Sequence, residues 1–164
     1  MNNQDVIRNH LQKCVNLDYN TLLKGARESL MALKPYIIAY TKTQESYLRE
    51  TDVARALDDS EMTRDLWCVG IISIIISRAV FTDCNATETE LKFAKELFGL
   101  DEKTMRKIFM DELSDGHTFF NEFVDSMDRT GKLKLLDLIT YIFACDNTVK
   151  VEEQRLIYEL LGKL

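Results

Sequence analysis

The sequence predicts an all-α protein, a compact helical bundle in a single domain over residues 1–164. Three observations carry that prediction. The 164 residues hold one proline and six glycines, too few breakers for the many turns of a β architecture. Apolar residues recur at threes and fours along most of the chain. The stretch 61–83 is apolar on almost every side, and such a helix must be surrounded by others.

The elements follow in order. Val6, Ile7, Leu11, Cys14 and Val15 mark a short opening helix. Asp18 stands where it can cap the next, in which Leu22, Leu23, Ala26, Leu30 and Leu33 recur at helical spacing. Pro35 is expected to end or kink that helix, because its ring does not fit interior geometry. A further helical piece then runs to Ala56, with Tyr36, Tyr40 and Tyr47 on one face. Rings at that spacing usually pack inward as a core edge. Asp58, Asp59 and Ser60 break the pattern and can cap the central helix over 61–83, with Trp67 in its core. Residues 88–98 form a helix stopped by Gly99, and Asp101 caps another that ends at Leu113. Residues 116–127 hold a short helix with Phe119, Phe120 and Phe123. Residues 132–146 and 151–161 form the last pair, stopped by Gly162.

Composition narrows the function classes. Apolar residues make up 46% and charged residues 29%, an ordinary globular balance. Net charge is −6, which disfavours a nucleic-acid face or adhesion to anionic lipid. All of that excess lies after residue 59, where it can attract a cation or a basic partner. The charge-free run from Leu66 to Ser77 is too short to insert into a bilayer. Cys14, Cys68, Cys84 and Cys145 form no C-x-x-C pair, and His10 and His117 are the only histidines, so zinc spacing is absent. Reduced, mostly buried thiols and no visible leader favour a cytoplasmic protein.

The most specific signal is an internal repeat. Shifted by 63 residues, ISRAVFTDCNATETELKFAKELFG lies over ITYIFACDNTVKVEEQRLIYELLG. Asp83 meets Asp146, Glu90 meets Glu153, and Gly99 meets Gly162. Apolar positions agree as well, among them Ile75 with Leu138, Ala79 with Ile142, and Phe93 with Leu156. Each copy reads as a helical hairpin: an apolar helix ending in Asp, a turn with an inward Ala86 or Val149, and a second helix with Glu near its start. Thr87 and Glu90 fit a capping box. The second copy has Lys150 in place of Thr87, so capping explains Glu90 better than Glu153.

This hairpin, A-x-x-D-G-x-V-x-x-x-E followed by an apolar helix and L-G, resembles the TerB-like family of tellurite-resistance proteins, whose fold also occurs in the amino-terminal region of the DjlA co-chaperone. FACDNTVKVEEQRLIYELLG is the better match and FTDCNATETELKFAKELFG the weaker. The resemblance spans about residues 65–164, leaving 1–60 as additional helices before a duplicated hairpin core over 61–164. It departs from the pattern at the turn glycine, which is Cys84 in one copy and Asn147 in the other. Asn accepts a left-handed backbone and Cys does so poorly. The resemblance implies two pseudo-symmetric hairpins around a central apolar helix. It implies no catalysis, an acidic surface, and a link to divalent metal binding and stress-response assemblies.

Carried over by position, the metal-site candidates are Asp83, Glu90, Asp146 and Glu153, with Glu88 and Glu152 beside them. Two Asp/Glu pairs can supply four oxygen ligands to calcium, magnesium or manganese. The spacing is not that of an EF-hand, since Ala94 and Ile157 stand where its last glutamate would. The competing reading is structural: each Asp accepts turn amides and each Glu caps a helix. Cys84 and Cys145 flank the aspartates, where nearby carboxylates raise a thiol's pKa and favour inert packing. No G-x-S-x-G, P-loop or H-E-x-x-H motif occurs. The expected function is therefore a non-enzymatic binding or sensor module, holding a divalent cation or a basic protein partner at its acidic turns. The alternative is a metal-independent adaptor or co-chaperone-like scaffold.

Overall fold

A computed structural model describes residues 3–49, 60–83, 85–114 and 119–164. Eight helices run through them with no strand: α1 (Asn3–Val15), α2 (Tyr19–Arg49), α3 (Ser60–Val80), α4 (Glu88–Phe98), α5 (Glu102–Ser114), α6 (Phe119–Ser126), α7 (Arg129–Ala144) and α8 (Val151–Gly162). The fold is all-α. None of these helices is long and apolar enough to cross a membrane. Cys84, His117 and the caps expected at Asp58 and Asp59 lie outside the described residues, as do the side chains of Tyr47 and Trp67.

Most boundaries have a local cause. The Asp18 carboxylate accepts from the Thr21 amide at 2.7 Å and starts α2, and Asp101 does the same for α5 through Thr104 at 2.8 Å. Asp128 caps α7 by accepting from the Gly131 amide at 2.9 Å. Gly99 ends α4 in the left-handed region, φ 70°, with its amide 2.7 Å from the Lys95 carbonyl.

Two expected boundaries differ. Pro35 does not end its helix, because α2 continues through it to Arg49. Pro35 and Met31 both sit on the exposed face, so the Met31 carbonyl that loses its amide partner meets water instead. Gly162 is the last residue of α8 and takes no left-handed turn; Lys163 follows it in right-handed geometry.

The core forms where α3 packs against α2, α4, α5, α6 and α7, as its all-round apolarity requires. The most extensive helix pairing, however, is α2 with α7. Two glycines permit it, each receiving a tyrosine of the opposite helix. A Cβ on Gly25 would stand 2.9 Å from the Tyr141 ring, and one on Gly131 would stand 2.8 Å from the Tyr36 ring. Leu22, Leu33 and Ile37 of α2 are fully buried, so this helix supplies core and not merely cover. Tyr40 is buried on the same helix, with its hydroxyl donating to Glu122 at 2.8 Å.

Burial follows the repeat. Ile75 and Leu138, Ile76 and Ile139, Ala79 and Ile142, Val80 and Phe143, Phe93 and Leu156, Ala94 and Ile157 are buried in both copies. Ala86 and Val149 each plug their turn against the core.

Candidate functional site

The four carboxylates named from the repeat meet at one corner, where the turn after α3 approaches the turn after α7. Each aspartate first closes its own turn. Asp83 accepts from the Asn85 amide at 3.1 Å. Asp146 accepts from the Thr148 amide at 3.2 Å and the Thr148 hydroxyl at 3.1 Å. Between them Asn147 takes the left-handed conformation expected of it, φ 64°.

Each glutamate belongs to a helix start. The Thr87 hydroxyl accepts from the Glu90 amide at 3.2 Å and donates to the Glu90 carboxylate at 3.1 Å. In the second copy Glu153 accepts from the Lys150 amide at 2.9 Å, the half of a capping box that needs no hydroxyl at the cap. Capping therefore accounts for Glu153 as well as for Glu90.

The residue at the cap position then reaches across to the other copy. The Thr87 hydroxyl lies 3.4 Å from the Asp146 carboxylate. The Lys150 ammonium donates to Asp83 at 2.8 Å and stands 3.6 Å from Glu90. Lys150, read from the sequence as a missing cap, is thus the corner's counter-ion. Its place between Asp146 and Glu153, where the other copy has Thr87, was the available signal.

Charge and burial compete here. Glu90 and Glu153 are each 2% exposed. Burial pushes the Glu153 carboxyl up to about 8, with Glu90 and Asp146 adding to the rise against the Lys150 amide and ammonium. Burial likewise pushes Glu90 up to about 7; the Lys150 ammonium opposes this, and Asp146 and Asp83 reinforce it. Desolvation outweighs the 3.6 Å ion pair because the ammonium is bound first to Asp83. The hydrogen bond to Asp83 holds Lys150 above its ordinary value. Near neutral pH, Glu153 therefore keeps most of its proton while Glu90 is close to half-ionised.

Among the described residues, no group of three or more His, Cys, Asp or Glu side chains is placed to hold a metal ion. The hard-cation donors are present in kind, but turn amides, a cap amide and an ammonium already occupy them. Glu88 and Glu152 flank the corner and are exposed to solvent.

The thiols are placed for packing. Cys145 is 3% exposed, and burial, then Asp146, Glu90 and Glu153, drive its pKa far up. Cys14 shows a neighbour that sequence reasoning did not pair with it: its sulfur lies 3.6 Å from His10 Nε2. The same nitrogen lies 3.6 Å from Asp137, so the carboxylate does not orient the ring from its far side. Burial pushes the Cys14 thiol up to about 11, with Asp137 adding to the rise, the opposite of an activated nucleophile. The i, i+4 spacing of His10 and Cys14 on α1 was the sequence signal for this contact.

The chain matches no family model, no curated protein and no solved structure.

Proposed function

We propose that the protein is a non-enzymatic helical adaptor of the TerB-like kind, whose acidic corner works without a bound metal and presents Glu88 and Glu152 to a basic partner. The observation that carries this reading is the Lys150 ammonium, seated 2.8 Å from Asp83 and 3.6 Å from Glu90. A divalent ion at that place must displace this ammonium and also the protons on Glu90 and Glu153. The buried acids thus act as a clasp between the two turns. The exposed pair beside them, in a chain of net charge −6, supplies the field that attracts a cationic surface.

Thermal unfolding with calcium, magnesium or manganese at 5 mM, matched for ionic strength, tests the metal-independent part. The expected result is an unchanged Tm. A rise that vanishes in the Asp146→Asn/Glu153→Gln double variant overturns it, since a ligand bound only by the native state stabilises it. For the partner, a lysine- and arginine-rich peptide should bind in the presence of chelator, weaken as salt is raised, and weaken further in Glu88→Gln/Glu152→Gln. Binding indifferent to salt and to both substitutions refutes this placement of the surface.

A second reading keeps the cation, and one observation favours it: two carboxylates, Asp83 at 2.8 Å and Glu90 at 3.6 Å, share the Lys150 ammonium, and both belong to the opposite copy. In that reading the metal replaces Lys150. The stabilisation by metal would then be larger at pH 8.5 than at pH 6.5, because Glu90 and Glu153 must first release their protons.

A further inference from the structure

Between α1 and α8 lies an open groove of about 530 Å³ that begins at Val149, on the far side of the second turn from the acidic cluster's Lys150. That volume lies within the range of small-molecule sites. Its floor is apolar, built from Leu11 and Val15 of α1 and from Val149 and Ile157 of the second hairpin. Ile157 is fully buried, and the other three pack partly buried against the core. The rim is polar. Arg8 stands at one end, where its guanidinium donates to the Tyr158 hydroxyl at 3.4 Å across the opening. Gln12, Asn16 and Gln154 complete the edge with neutral amides.

The charge of this lining runs against that of the molecule. The chain has 27 acidic side chains and a net charge of −6, yet no carboxylate lines this groove and one guanidinium does. The nearest acid on the same helix is Asp5, one turn before Arg8; it lies outside the lining, though its charge acts weakly on the exposed guanidinium. A guanidinium is a planar fork that suits a carboxylate and keeps several N–H donors when one is used on Tyr158. The apolar floor below it suits a hydrocarbon body.

We propose that the groove between α1 and α8 binds a small monocarboxylate with an apolar tail, of the medium-chain fatty acid class. Its carboxylate pairs with Arg8 beside the Tyr158 hydroxyl, and its tail lies on Leu11, Val15, Val149 and Ile157. Both halves of the ligand are needed. The tail removes apolar surface from water, and the head supplies the one charge that the rim can match.

Titration calorimetry of the full chain with octanoate at pH 7.5 tests this, with octanol and acetate as the tail-only and head-only probes. Octanoate should bind one to one, and both probes at least tenfold more weakly. Arg8→Gln alters an exposed position and should weaken octanoate about tenfold while leaving octanol unchanged. Val15→Trp should fill the groove and abolish binding, with circular dichroism checking that it folds. Absence of octanoate binding at millimolar concentration overturns the proposal, as does equal binding to the Arg8→Gln protein. Binding only by a peptide with a free apolar carboxy terminus also overturns it, in favour of a protein partner. A metal effect at the acidic corner reads on a different set of residues, so the two tests fail separately.

Discussion

Replacing Glu153 with glutamine should make the protein more stable at neutral and alkaline pH while changing little below about pH 4.5. Glu153 is 2% exposed, and its carboxyl is raised from the ordinary 4.5 to about 8. The folded state therefore holds a proton through a pH range in which the unfolded chain has released it. Stability from such a raised carboxyl is fully present below about pH 4.5 and is lost as pH climbs towards about 8. Within that window each pH unit removes about 1.4 kcal/mol. Between pH 5.5 and 7.5 this group alone removes about 2–3 kcal/mol, or roughly 5–10 °C in Tm for a domain of this size. Glutamine keeps an oxygen to accept from the Lys150 amide, a bond of 2.9 Å in the native protein, and has no proton to lose. Urea unfolding at both pH values measures the difference. The gap between Glu153→Gln and the native protein should widen in favour of the variant by about 2–3 kcal/mol from pH 5.5 to 7.5. Parallel pH profiles refute the assignment of a buried, protonated Glu153. Glu90 adds to the rise of Glu153, so Glu90→Gln should also lower the pH at which Glu153 releases its proton.

Three further outcomes are expected. Lys150→Met should destabilise by about 1–3 kcal/mol, since it strands Asp83, and the loss should grow with pH as Glu90 ionises, read by denaturant unfolding at pH 6 and 8.5. Ser77→Ala should be neutral or stabilise by up to about 1 kcal/mol, because the Ser77 hydroxyl is fully buried with no hydrogen-bond partner among the described residues; a loss above that size in calorimetry would reveal a partner. Gly131→Ala should lower stability by about 1 kcal/mol even after alanine's helix preference is counted, because its Cβ meets the Tyr36 ring at 2.8 Å and the Met127 sulfur at 3.0 Å. Pairing it with Tyr36→Leu should recover part of the loss if the collision is the cause.

The local grammar of this chain was legible and its long-range partnerships were not. Asp18, Thr87, Gly99 and Asp101 announce helix ends because a cap needs only three or four neighbouring residues. The repeat went further: aligned positions such as Ile75 and Leu138 are buried alike. It also named the four acids that meet at the corner. Pro35 marks no helix end, because α2 runs on through it with the proline on the exposed face. Lys150 was discounted as a missing cap when only the fold could show Asp83 within its reach. The pairing of α2 with α7 left no periodic trace, since glycine is silent in a hydrophobic pattern. The α1–α8 groove needs two helices about 140 residues apart in sequence, beyond any windowed reading.

The exchange of tyrosines between α2 and α7 makes the two helices a matched pair of rulers. Gly25 and Tyr36 are eleven residues apart, and Gly131 and Tyr141 are ten apart in the opposite direction. Along a helix axis those intervals are about 16 and 15 Å, so both notches engage at once. Adding one residue between the marks on either helix would shift one notch by about 1.5 Å and swing its tyrosine about 100° off target. The same insertion beyond the marks leaves both notches aligned. Length change in these two helices is thus permitted or forbidden by whether it falls between a helix's glycine and its tyrosine, a rule that no single helix contains.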